Sequence, residues 1–162
     1  MRAALVLAAF VAIAVVLGAP SSGATTPSCA TSSLVLWTGA GEGAAGSVYR
    51  TLELTNQSGH ACQLTGYPGV SAVDLHGRQL GSAAARAPGT SARVTLQNGD
   101  TAQTTLRIAQ AANFPPAACR RTAAAGVRVY PPGQTTAKTI PFPFDACTHR
   151  GTVFLSVGPV RK

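Results

Sequence analysis

Apolar side chains in this sequence recur at every second position, in short runs that Gly and Pro keep interrupting, and that pattern points to a sheet protein. In the clearest instance Ala92, Val94 and Leu96 alternate with Arg93, Thr95 and Gln97. Asn98-Gly99 follows, and then Ala102, Thr104, Leu106 and Ile108 alternate with Thr101, Gln103, Thr105 and Arg107. Side chains of an extended strand point to opposite faces in turn, so each run has one apolar and one wet face. Asn-Gly tolerates the positive φ of a tight two-residue turn, and the two runs are expected to pair as a hairpin.

The same reading extends along the chain. Residues 34–37 are a short apolar run, and residues 48–55 put Val48, Leu52 and Leu54 on one face. The Gly-rich residues 39–46 between them form a hairpin loop. Tyr67-Pro68-Gly69 supplies a type II turn into a strand over residues 70–75, closed by His76-Gly77. One helical turn fits residues 109–118 before Pro115-Pro116 stops it. Val127 and Val129 alternate with Arg128 and Tyr130 ahead of Pro131-Pro132-Gly133. Ile140, Phe142 and Phe144 alternate with Pro141 and Pro143. Proline has no N–H for a ladder, so that segment is expected at a sheet edge or as a polyproline stretch. Val153, Leu155 and Val157 form a last inward row opposite Thr152, Phe154 and Ser156. With 17 Gly and 11 Pro there is no place for long helices. About eight strands imply an all-β fold, an antiparallel immunoglobulin-like β-sandwich.

Ahead of this domain Arg2 leads into an uninterrupted apolar run over residues 3–17, then Gly18-Ala19-Pro20 and a small-residue stretch. That is the anatomy of a signal peptide helix over residues 1–24, with cleavage after Ala24; its apolar run is shorter than the roughly 20 residues a spanning helix needs. A retained anchor is the competing reading. Cys29 lacks the residues of a lipoprotein box before it. With export, residues 25–162 form one secreted or envelope-associated domain without a stable transmembrane segment. Losing Arg2 lowers the formal charge from +8 to +7. The cations are scattered, with Arg120-Arg121 and Arg161-Lys162 as the adjacent pairs. Such a diffuse charge suits solubility first, and loose association with anionic envelope polymers, phospholipid heads or an extracellular protein second. No basic stripe interleaved with aromatics suggests nucleic acid as a partner.

Cys29, Cys62, Cys119 and Cys147 all lie beyond the leader, and an even number in an exported chain reads as two disulfides. Four cysteines allow three connectivities. The strand pattern favours Cys29 with Cys62, flanking the first hairpin, and Cys119 with Cys147, flanking the strands at 127–130 and 140–144. The spacings contain no Cys-x-x-Cys, and His60, His76 and His149 are not spaced as paired ligands, so neither metal nor cofactor is expected.

No residue pattern in the chain marks a catalytic site. Gly41-Glu42-Gly43-Ala44-Ala45-Gly46 matches the dinucleotide-binding pattern, but a strand rather than a helix follows it. There is no Gly-x-Ser-x-Gly elbow and no His-Glu-x-x-His. The five carboxylates Glu42, Glu53, Asp74, Asp100 and Asp145 are dispersed, and Asn56-Gln57-Ser58 reads as a turn rather than a glycosylation site. Trp37, Tyr49 and Tyr67 are expected in the core or at corners. Arg128, Tyr130 and Phe154 fall on a presumed outward face and form the candidate binding face.

The stretch Cys62-Gln63-Leu64-Thr65-Gly66-Tyr67-Pro68-Gly69-Val70, preceded by Leu54-Thr55-Asn56, resembles the exported actinobacterial family DUF4232, a domain of unknown function. Cys119 with Arg128-Val129-Tyr130-Pro131-Pro132-Gly133, and the closing Cys147 with Val157-Gly158-Pro159-Val160, fit the same resemblance. It implies a secreted or envelope-anchored β-sandwich with two disulfides and supplies no activity. The expectation is a non-enzymatic binding module. An extracellular hydrolase or carbohydrate-processing accessory is the alternative, and a protease inhibitor presenting the loop at 39–46 a third reading.

Overall fold

Period-two patterning becomes twelve strands in the computed structural model, which describes residues 25–162. The leader expected over residues 1–24 lies outside the described residues. In chain order the strands are β1 Leu34–Thr38, β2 Glu42–Ala44, β3 Ser47–Asn56, β4 Cys62–Thr65, β5 Gly69–Val73 and β6 Gln79–Leu80. They continue with β7 Ala85–Arg86, β8 Arg93–Leu96, β9 Thr101–Ala109, β10 Arg121–Tyr130, β11 Lys138–Cys147 and β12 Leu155–Val157. Among the described residues helix is confined to single turns, the longest being α1 at Pro116–Cys119, which Pro116 opens because a first-turn residue needs no N–H partner. Among the described residues no helix is long and apolar enough to cross a membrane.

The strands make an all-β sandwich. One layer is a six-stranded sheet in the order β1-β3-β9-β12-β7, with β2 added beside β3. Against its inner face pack a four-stranded sheet, β11-β10-β5-β6, and a separate pair, β4-β8. Two apolar clusters follow from this division. Leu52, Leu106 and Leu155 of the large sheet meet Val70, Val127, Val129 and Phe142 of the four-stranded sheet. Leu34, Leu54 and Ala102 meet Leu64 and Leu96 of the pair around the Cys29–Cys62 bridge. Leu36 packs against both clusters and joins them. Cys29–Cys62 and Cys119–Cys147 are the two disulfides, the connectivity the strand pattern favoured. β11 lies at a sheet edge, where Pro141 and Pro143 forfeit no ladder bond to a neighbour on the open side.

Several expectations are corrected. The runs at 92–97 and 101–108 do not pair as a hairpin. β8 joins β4 with Cys62 opposite Leu96, while β9 joins β3 and β12 in the other layer. Asn98-Gly99 is thus a crossing between layers, held by Gly99 N–H donating to Asn56 O at 2.7 Å. Alternation identifies a buried face; it does not identify the strand alongside. β7 runs parallel to β12, so the sheet is not wholly antiparallel. Four strands more than expected arise from short segments, such as β2, β6 and β7, that sequence reads as loop.

Phe154 does not stand on an outward face: it is 1% exposed and part of the main core. β12 begins only at Leu155, so the alternation does not reach back to Phe154. Its ring fills the space left by Gly81, where a Cβ would stand 2.5 Å from Cε1; Gly81 also has φ +62, a conformation that favours glycine. Trp37 and Tyr49 are not core residues, being 47% and 38% exposed. Both occupy odd positions of strands whose buried rows, Leu34 and Leu52-Leu54, are even.

Candidate binding cleft

The outer face of the six-stranded sheet carries the odd-numbered residues of β3 and β9. In register across it Tyr49 stands opposite Arg107, Thr51 opposite Thr105 and Glu53 opposite Gln103. Arg107 is in turn opposite Ser156 of β12. Beyond β12 the chain bulges at Gly158-Pro159 and returns to β9, so that Arg161 pairs with Gln103 through reciprocal backbone bonds of 2.7 and 2.8 Å. This return brings Arg161 alongside the same face.

A wall rises beside this floor. Ala87 N–H donates to Val157 O at 2.9 Å, anchoring the segment that follows β7. Residues 87–90 then bend over Ser156 and Gly158. Tyr67 holds the wall from behind: its hydroxyl donates to Gly89 O at 2.9 Å, and Arg86 lies 5.4 Å over its ring. Gly89 packs so closely on Pro159 that a Cβ there would stand 3.0 Å from the proline ring. The result is an open cleft of about 430 Å³ with Tyr49, Thr105 and Arg107 on its floor and Arg161 at one end. A second hollow of about 240 Å³ extends it past Gln103 toward Lys162, sharing Thr105 and Arg161.

Its side chains are uncommitted. Tyr49, Thr90, Thr105, Arg107, Ser156 and Arg161 make no side-chain hydrogen bond or ion pair to any other described residue. Several cations elsewhere are engaged. Arg78 pairs with Asp74 at 2.7 Å, Lys162 with Asp100 at 2.5 Å, Lys138 donates to Leu34 O, and Arg50 donates to Gly39 O while lying 4.6 Å over Phe142. No carboxylate is among the described lining residues of the cleft; Glu42, opposite Tyr49, and Glu53, opposite Gln103, stand beyond it.

Of the candidate face read from sequence, Arg128 and Tyr130 are neighbours on β10, the guanidinium 5.9 Å from the ring centroid. Arg128 turns back to its own chain, donating to Gly77 O at 3.2 Å and Gln79 Oε1 at 3.3 Å. Phe154 is on neither surface. The residues that sequence reasoning passed over are Tyr49, Arg107 and Arg161. Parity places the first two on a wet face; Arg161 reaches it only through the bulge after β12.

His60, His76 and His149 are exposed in separate turns. Among the described residues no group of three or more His, Cys, Asp and Glu is placed to hold a metal ion. The sequon is structural: Asn56 is fully buried and its Nδ2 donates to His60 O, Leu96 O and Gln97 O. The loop at 39–46 is largely consumed by β2, which pairs with the start of β3.

Fold and surface together define a disulfide-stapled β-sandwich with an open basic cleft on one sheet face. The chain belongs to the family described as a domain of unknown function, DUF4232, whose model matches residues 29–161. No curated protein and no solved structure matches it.

Proposed function

We propose that this protein is an exported, non-enzymatic binding module, secreted or held at the cell envelope, whose ligand occupies the cleft over Tyr49, Thr105 and Arg107. The observation that carries this reading is a cleft of uncommitted polar side chains beside a wall fixed by the chain's own bonds. Preorganised walls lower the ordering cost of binding, and polar groups without internal partners are free to meet a ligand. Export is supported by two disulfides, which persist in oxidising compartments, and by the leader pattern of residues 1–24. Hydrolysis would need an acid, base or nucleophile–base pair at the ligand, and neither His nor carboxylate is among the described lining residues.

The test is an NMR titration of the purified, oxidised protein with solubilised cell-envelope polysaccharide. Shifts gathered at the amides of Tyr49, Gly89, Thr105 and Ser156 are expected. A set centred on Arg128 and Tyr130, or one spread evenly over the basic surface, would reject the cleft.

A further inference from the structure

Resting on that reading, we infer that the cleft takes an anionic carbohydrate chain: linked sugar or polyol units bearing carboxylate or phosphate groups. Three features of the cleft lead there. Arg107 and Arg161 both line it without a protein partner among the described residues, and a guanidinium presents a planar fork of donors matched to the two oxygens of a carboxylate or phosphate. Both side chains are exposed, so a neutral ligand would forgo their charge rather than meet it.

Around the two guanidinia the lining joins apolar surface from Ala87, Pro88 and Pro159 to hydroxyls on floor and wall. Thr105, Ser156 and Thr90 each offer a donor and acceptor to ligand hydroxyls, and Tyr49 adds a 38% exposed ring against which the apolar face of a sugar can lie. An acidic peptide is disfavoured by the backbone. The floor strands β3, β9 and β12 are each already paired on both sides, so the floor offers no free ladder for an added strand.

Spacing then argues for a chain rather than a single unit. Arg107 and Gln103 are four residues apart on β9, roughly 13 Å at about 3.3 Å per residue, and Arg161 is bridged to Gln103. The two guanidinia therefore spring from opposite ends of the cleft and address separate anionic groups. The second hollow beyond Arg161 continues the track toward Lys162, whose ammonium is already paired with Asp100.

Calorimetric titration of the oxidised protein at physiological salt tests this with four oligomers of matched length: oligogalacturonate, oligo(glycerol phosphate), neutral maltooligosaccharide and oligoglutamate. Binding of oligogalacturonate or oligo(glycerol phosphate) is expected, and which of them binds more tightly assigns carboxylate or phosphate. Arg107→Ala and Arg161→Ala should each weaken it by about tenfold, the equivalent of one charge-assisted hydrogen-bonding group. Arg93→Ala, an exposed change on β8 outside the cleft, should leave it unaltered. Equal binding of the neutral oligomer removes the anion requirement, and equal binding of oligoglutamate removes the carbohydrate. An Arg93→Ala loss as large as that of Arg107→Ala reduces the effect to diffuse charge. Each of these outcomes overturns the inference. If none of the oligomers binds while envelope polysaccharide still shifts the cleft amides, the ligand class is wrong and the cleft stands.

Discussion

The side-chain amide of Asn56 donates to carbonyls of two separate loops while its oxygen accepts the Ser58 N–H at 3.0 Å, all at a fully buried position. Replacing it by Ala strands buried acceptors, so Asn56→Ala is expected to cost about 3 kcal/mol, read as a lower urea midpoint at unchanged slope. The same burial predicts that the folded chain is a poor glycosylation acceptor despite its sequon. Phe154→Ala should cost about 3–5 kcal/mol by opening a cavity beneath Gly81. Gly126 is as constrained by backbone: a Cβ there would run into Ile140 O. Two surface carboxylates contribute to the acid limb. At Asp74 desolvation pushes the pKa up but is outweighed by hydrogen bonds from Arg78 and His76, and at Asp100 the Lys162 ammonium and the Gln97 N–H hold it down; both lie below the ordinary 3.8. A folded pKa lower than the unfolded one gives stability that is present above the unfolded value and lost as pH falls through the folded one. The melting temperature should therefore drop below about pH 4, and Asp74→Asn with Asp100→Asn should flatten that limb in a pH series.

Among elements, the two disulfides act at different places. Cys29–Cys62 fastens the segment before β1 to β4 within the smaller cluster, and Cys119–Cys147 fastens the end of α1 to the end of β11 at the main core. Their sequence separations are 33 and 28 residues, so the chain-entropy account gives each about 3.5–4 kcal/mol. Paired Cys→Ala variants of either bridge should lose comparable stability in denaturant, although one bridge serves a cluster of nine buried residues and the other a cluster of nineteen. If the Cys29–Cys62 variant loses far less, the β4-β8 pair opens independently of the rest. The edge placement of β11 was readable because proline excludes a central strand. The partner of β8 was not, because β8 and β9 bury their faces equally well whether they pair directly or lie in facing layers.

Across the whole molecule, the large sheet has its apolar face covered twice over, and its other face is left to solvent, the wall at 87–90 and the returning Arg161. Residues engaged in holding this arrangement should be separable from those left free. Arg107→Ala and Arg161→Ala remove side chains without internal partners, and each should change stability by no more than about 0.5 kcal/mol. Arg50→Ala removes both the bond to Gly39 O and the cover over Phe142, and should be clearly destabilising in the same thermal unfolding assay. Reversal of that order would mean that the cleft arginines hold the fold rather than meet a ligand.

What the sequence determined by itself was local and covalent. Parity along β9 set which residues face water, the prolines of β11 kept it from a central position, and flanking strands favoured one cysteine pairing of three. These follow from the geometry of one extended segment and its neighbours in the chain. Only the tertiary structure decided that Asn98-Gly99 crosses between layers, that Phe154 enters the core under Gly81, and that Arg161 returns beside Gln103 to close a cleft with Arg107 and Tyr49. Each of those depends on which surface a segment packs against, a choice made by contacts distant in sequence that no local pattern encodes.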